Sequence, residues 1–237
     1  KVVSREELIR TLEKCHDSVW QGGRLTPTNA FDEVSKLLFC KIKDEKDGTK
    51  RGESYKFQVG THETADEVYA RVNSIYLLAQ EADPDVFQND VQLDSKVVYS
   101  VVEHLQGLAL NKIDLDTKGV AFERFMQDFF KGKMGQFFTP RQIVEFCVEM
   151  LTPKHNDSVL DPACGSGGFL LYTLDAIRKF AEQGYEEREA WDYWHKFAMN
   201  NLFGIEINDQ IARVCKMNMI LHDDGHTNVI STDSLDD

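Results

Sequence analysis

The chain has 237 residues, room for one large domain or two smaller ones. With 42% hydrophobic and 28% charged residues it can build a sizeable core, which excludes general disorder. Forty Asp and Glu against 27 Lys and Arg give a net charge of -13, which excludes a simple basic nucleic-acid coat but not a nucleic-acid enzyme whose basic surface is local or comes from a partner subunit.

The first 130 or so residues read as helices. Leu8, Ile9 and Leu12 share one face of a first helix. Thr26-Pro27 opens a second, with Phe31, Val34, Leu38 and Ile42 at the helical period. From Asp44 to Gly60 the chain is polar and contains glycine, which predicts a loop with at most a short strand at Tyr55-Lys56-Phe57. Val68, Val72, Ile75 and Leu78 mark a third helix. Val97, Val98, Val101, Val102 and Leu105 mark a fourth despite their β-branching, and Phe122, Phe125, Met126 and Phe129 a fifth. These stripes are expected to form a bundle core.

From about Gly135 helices and strands alternate. Thr139-Pro140 is expected to cap a helix carrying Ile143, Val144, Cys147 and Met150. Ser158-Val159-Leu160-Asp161 reads as a short buried strand ending in an acid. Gly165-Ser166-Gly167-Gly168 forms a tight loop, and Phe169-Leu170-Leu171 enters the next helix. An extra helix is expected from Glu186 to Ala198. Leu202-Phe203-Gly204-Ile205-Glu206 is a second strand, again ending in an acid. Asn208 caps a helix with Ile211, Ala212, Cys215, Met219 and Ile220, and Asn228-Val229-Ile230 is a third strand. Such alternation implies a parallel sheet with right-handed crossovers, whose ligands bind at the carboxyl ends of the strands.

No apolar run approaches the roughly 18 residues of a membrane span, and no signal peptide opens the chain. Five cysteines without a C-x-x-C pair argue against a disulfide framework or a structural zinc site, so a reducing cytoplasm is expected. The chain starts at Lys1 rather than Met, as expected of a trimmed chain.

The strongest chemical signal is Asp161-Pro162-Ala163-Cys164-Gly165-Ser166-Gly167-Gly168. Glycines between a strand and a helix allow positive φ and close ligand approach, and the helix start offers unpaired N–H groups. The dinucleotide fingerprint spaces its glycines further apart and has an acid about 20 residues on. Here the next strand-end acid, Glu206, lies 38 residues beyond Gly168. Cys164 has no base in recognisable relation to it and is expected to be a packing residue. His222-Asp223-Asp224-Gly225 is expected to be a solvated turn, with no metal.

This run resembles the methionine-contacting loop of amino-group DNA methyltransferases. Gly135-Gln136-Phe137-Phe138-Thr139-Pro140-Arg141 resembles their second cofactor element. Their order, behind a helical N-terminal part, is similar to the modification subunit of type I restriction–modification systems, N6-adenine class. The resemblance is strong from about Gly119 to Gly168, good from Phe203 to Leu235, and looser before. It implies an α/β methyltransferase fold, a Rossmann-like parallel sheet that is incomplete here, preceded by an all-α N-terminal domain. The domains expected are 1–115, helical, and 116–237, the first part of a methyltransferase domain.

The resemblance also implies roles. The cofactor is S-adenosylmethionine. Thr139 and the amides around Gln136, Pro140 and Arg141 would hold its tail carboxylate, with Phe137 or Phe138 packed against it. Asp161 would pair with the tail ammonium, and Gly165, Ser166, Gly167 and Gly168 would line the tail and sulfonium. Glu206 would accept from the ribose hydroxyls and Asp233 from the adenine amine. The family's catalytic Asn-Pro-Pro-Phe/Tyr element does not occur: the prolines stand at 27, 84, 140, 153 and 162. The chain is therefore expected to hold most of a cofactor site, no catalytic residue, and no activity alone. Implied partners are DNA, a specificity subunit, a restriction subunit and a second modification subunit, with no membrane. Residues 184–237 hold 11 acids and 4 Lys or Arg, so that face is not expected to bind DNA. The alternatives are a methyltransferase of protein glutamine or RNA, and a non-catalytic assembly module that keeps the loop as a relic.

Overall fold

The computed structural model describes residues 1–20, 25–48, 54–82, 84, 87, 89–113, 115–130, 139–222 and 228–236. The chain forms two compact units, Lys1–Gln136 and Phe137–Asp237.

Among the described residues the first unit contains five α-helices, α1 Arg5–Trp20, α2 Pro27–Asp47, α3 Ala65–Ala82, α4 Ser95–Leu105 and α5 Leu115–Phe130, and a short 3-10 helix at Leu110–Lys112. Their buried positions follow the predicted apolar stripes, except that Leu78 of the third stripe is exposed and the Phe129 side chain lies outside the described residues. Helix α5 packs in this unit, against α1 and α2, although it falls beyond the boundary expected at 115/116. Its Phe122 and Phe125 rings lie 5.6 and 5.5 Å from that of Phe31 on α2. Thr26 caps α2 as expected, accepting the Asn29 N–H, with Pro27 in the first turn.

Helix α2 contacts α1, α3, α4 and α5, so it buries polar as well as apolar positions. The Lys36 ammonium lies 2.6 Å from Glu33 and 3.1 Å from Asp32, and it donates to the Asp90 carbonyl. Glu33 also accepts the Gln92 N–H at 2.8 Å. Lys41 pairs with Glu45 at 2.9 Å, and Glu45 accepts the Leu110 and Asn111 N–H groups. Buried charge on α2 thus satisfies the backbone of the loops around it. The segment around Tyr55-Lys56-Phe57, expected to be a loop with at most a short strand, has no strand and bends at Lys56 and Phe57. There the Phe57 N–H is taken by the Asp44 side chain at 2.7 Å rather than by a neighbouring strand.

The second unit runs α6 Arg141–Leu151, β1 Val159–Asp161, α7 Gly168–Gly184, α8 Glu187–Asn201, β2 Leu202–Glu206, α9 Asp209–Leu221 and β3 Asn228–Ser231. The three strands are parallel in the order β1-β2-β3. Leu160 pairs with Phe203 and Asp161 with Gly204, while Ile205 pairs with Ile230 and Glu206 with Ser231. Leu202, Gly204 and Glu206 alternate into the buried side, over a core built from Leu170, Leu174 and Ile177 of α7, Trp194 and Phe197 of α8, and Cys215 and Met219 of α9. Gly204 has no room for a side chain: a Cβ there would meet Leu170 Cδ1 at 2.8 Å and Cys164 Sγ at 3.0 Å. On the opposite side Leu160 and Ile230 are exposed. The strand expected to be buried at 158–161 is therefore half covered, because its helices lie on one face. Among the described residues no helix is long and apolar enough to cross a membrane.

Candidate functional site

The polypeptide leaving β1 turns at Asp161, whose Oδ1 accepts the Ala163 N–H at 3.1 Å. Cys164 N–H then donates to the Ile205 carbonyl at 2.9 Å, which laces the loop to the end of β2. A tight turn follows, closed by the Gly167 N–H on the Cys164 carbonyl at 2.8 Å. Two of its residues have left-handed backbone, Gly165 with φ 54° and Gly167 with φ 90°, conformations that glycine adopts without a Cβ penalty. At Gly167 the packing adds a second reason, since a Cβ would lie 2.7 Å from Cys215 Sγ. Gly167 is the N-cap of α7 and no side chain caps that helix. Its first-turn N–H groups therefore form a polar, electropositive end directly after the loop.

Glu206, at the carboxyl end of β2, is buried and clamped at both oxygens. Oε2 accepts the Gly165 N–H at 3.1 Å and Oε1 the Asn208 N–H at 2.8 Å. Asn208 itself caps α9 as expected, accepting the Gln210 and Ile211 N–H groups. Asp161 ends the adjacent strand. Burial holds its carboxyl above the ordinary carboxylate range; the Ala163 amide opposes this and the charge of Glu206 adds to it. The structure thus brings two strand-end acids and the glycine loop into one site.

The other predicted residues are placed as follows. Gln136, Phe137 and Phe138 lie outside the described residues. Thr139 and Pro140 are exposed, and Pro140 rather than Thr139 occupies the cap of α6, its carbonyl accepting the Ile143 and Val144 N–H groups. The Arg141 guanidinium lies 5.1 Å from the centre of the Tyr172 ring on α7, so α6 starts beside the helix that leaves the loop. Past β3 the Thr232 N–H donates to the Glu206 carbonyl at 3.2 Å. Asp233 follows it and uses its own carboxylate on the Leu235 N–H at 3.0 Å. Cys164 is buried, its Sγ 3.9 Å from Cys215 Sγ. His222 donates from Nδ1 to the Asn218 carbonyl, 2.7 Å away; the two acids after it lie outside the described residues. One residue escaped the sequence reading: Asn218 on α9, buried beneath the loop, donates from Nδ2 to the Ser166 carbonyl at 2.9 Å. Between Met217 and Met219 it carries no sequence signal that sets it apart from an ordinary helical position.

Comparison with known proteins gives a consistent picture. The model of the N-6 DNA Methylase family matches residues 113–237, just over half of the chain. The methylase subunit of the type I restriction enzyme EcoEI of Escherichia coli is 32% identical over 120 residues, covering 48% of this chain and 23% of that protein. The EcoKI methylase subunit of E. coli K12 is 24% identical over 245 residues, covering 93% of this chain and 44% of that protein. A crystal structure of a modification subunit of a putative type I restriction enzyme from Vibrio vulnificus superimposes with a TM-score of 0.64 at 17% identity, over 99% of this chain and 57% of that one. The likeness of fold extends over the whole chain, and the chain spans less than half the length of these two curated relatives.

Proposed function

The chain belongs to the N-6 DNA methylase family, and from that premise we propose that it carries the cofactor site of a type I modification subunit that methylates the N6 amine of adenine in DNA. The observation that carries this reading is the joint placement of Asp161, the turn from Gly165 to Gly168, and Glu206 at the carboxyl ends of β1 and β2.

S-adenosylmethionine, when bound, supplies an electrophilic methyl group on a sulfonium. The donor set present fits it. Asp161 is suited to the amino-acid ammonium, since a cation beside a desolvated carboxylate relieves the cost of its charge. Glu206 keeps a lone pair on each oxygen after accepting its two backbone amides, enough for two ribose hydroxyls. The uncapped start of α7 offers N–H groups to polar or anionic atoms, and the glycine backbone leaves no side chain in their way. Thr139 and the amides around Gln136 to Arg141 would hold the tail carboxylate, Phe137 or Phe138 would pack against the cofactor, and Asp233 would accept from the adenine amine.

An exocyclic adenine amine is a poor nucleophile because its lone pair is delocalised into the ring. Methyl transfer to it calls for acceptors for its protons and an aromatic surface for the flipped base. In this reading an Asn-Pro-Pro-Phe/Tyr element supplies those groups, and the 237 residues do not contain it. DNA, a specificity subunit, a restriction subunit and a second modification subunit are the proposed partners. The match to a DNA-methylase family model disfavours the protein-glutamine and RNA alternatives.

Calorimetric titration of the chain with S-adenosylmethionine tests the cofactor assignment. The expected result is saturable binding that is lost in Asp161→Ala. Absence of saturable heat from the folded protein would overturn it in favour of the assembly-module alternative.

A further inference from the structure

We propose that Asn218 is a positioning residue of the glycine loop, setting the orientation of the peptide between Ser166 and Gly167 from beneath. The inference rests on the reading of that loop as the cofactor site.

Ser166 precedes the N-cap of α7, so its carbonyl stands outside the helix's own ladder of hydrogen bonds. Ser166 is buried, and its carbonyl meets Asn218 Nδ2 at 2.9 Å. The donor comes from α9, 52 residues further along the chain, and its side chain is itself only 3% exposed. Among the described residues the buried Asn218 Oδ1 has no hydrogen-bond partner. A carboxamide buried with its oxygen unpaired is costly. The half that is used holds a single loop carbonyl.

That carbonyl is the sensitive one. The next residue is Gly167 at φ 90°, which has no Cβ to restrict the peptide sterically. The Gly167 N–H of that same planar peptide is held by the Cys164 carbonyl, so Asn218 grips the carbonyl end of a peptide whose amide end is tied within the turn. Cys215, nearly one turn before Asn218 on α9, fills the space beside Gly167, so α9 supplies both a steric floor and a polar anchor. With the Ser166 carbonyl drawn toward α9, the glycine backbone and the open start of α7 stay turned to the ligand side. Asn218 touches no ligand in this scheme; it acts through the loop.

Asn218→Asp preserves shape but sets an oxygen against the Ser166 carbonyl in place of a donor, and Asn218→Leu removes the donor without adding charge. Isotope-labelled chain carrying either substitution is compared with wild type by NMR. The expected signature is a displaced Ser166 carbonyl resonance and Gly167 amide cross-peak, with β2 and α8 cross-peaks unmoved. Affinity for S-adenosylmethionine should fall about tenfold, the size expected for one lost buried hydrogen bond. Unmoved Ser166 and Gly167 signals in a folded variant overturn the proposal, as does unchanged affinity. If wild-type chain binds no S-adenosylmethionine, the cofactor reading fails by itself and the loop resonances alone decide the role of Asn218.

Discussion

The Glu206 carboxylate accepts the backbone N–H of Gly165 at 3.1 Å, tying the end of the second strand to the middle of the loop that follows the first. Parallel pairing of β1 with β2 makes this possible, because it sets both strand ends on the same edge of the sheet. The acid therefore shapes the loop that follows the first strand.

Two roles in one carboxylate predict a compound effect. Glu206→Ala removes the acceptor for Gly165 and Asn208 and, in the proposed complex, for the ribose. A hydrogen bond to a charged group contributes about 1.5–3 kcal/mol, so affinity for S-adenosylmethionine should fall tenfold or more by calorimetry. Unfolding in urea should also shift to lower denaturant, because two backbone amides lose their partner.

The steric relation between Gly167 and Cys215 is separable from the backbone relation. Gly167→Ala meets both a contact at 2.7 Å and a left-handed φ. The backbone part costs about 1–2 kcal/mol, and overpacking adds about 1–3 kcal/mol. Combining Gly167→Ala with Cys215→Ala should relieve the overpacking alone. A double-mutant cycle in urea is then expected to show a favourable coupling, with residual destabilisation from φ.

The strand and helix succession from Arg141 to Ser231 is legible because Asn208, Pro140 and the glycine run punctuate it, and because strand-end acids stand out after short apolar runs. Cys215 and Asn218 are hidden because only the fold brings α9 under a loop some 50 residues earlier. The apolar stripe of α2 does not reveal that Lys36 and Lys41 are buried, which follows from the packing of α2 against several other helices. The loop at Tyr55-Lys56-Phe57 stays a loop for a related reason: its Phe57 amide finds a carboxylate on α2, so no neighbouring strand is needed.

Those enclosed charges predict strong asymmetry. Glu33 keeps a carboxyl raised above the ordinary range by burial, with Lys36 opposing that shift. Lys36→Met leaves Glu33 buried without its ion pair and should destabilise the chain by about 3–5 kcal/mol. Replacing both residues together, as Glu33→Leu with Lys36→Met, should cost less than Lys36→Met alone if the orphaned charge is the main penalty. Urea unfolding of the two variants checks the order.

Asp161 links stability to pH in the opposite sense from an ordinary paired carboxylate. Its pKa in the folded chain lies above the unfolded value, chiefly through burial. The folded state therefore holds the proton to higher pH than the unfolded state does, and stability falls as pH rises from the unfolded value through the folded one. Above that window the ionised, partly desolvated group is a standing cost, which Asp161→Asn removes while keeping an acceptor for the Ala163 N–H. Thermal melts at neutral pH should show Asp161→Asn at least as stable as wild type, with a flatter dependence on pH below neutrality. Ligand binding should behave inversely, because the proposed ammonium partner needs the carboxylate ionised. Wild-type affinity for S-adenosylmethionine should weaken as pH falls through the raised pKa of Asp161, and Asp161→Asn should bind weakly at every pH. A variant that is both more stable and pH-independent in binding, yet retains wild-type affinity, would show that Asp161 does not face the ammonium.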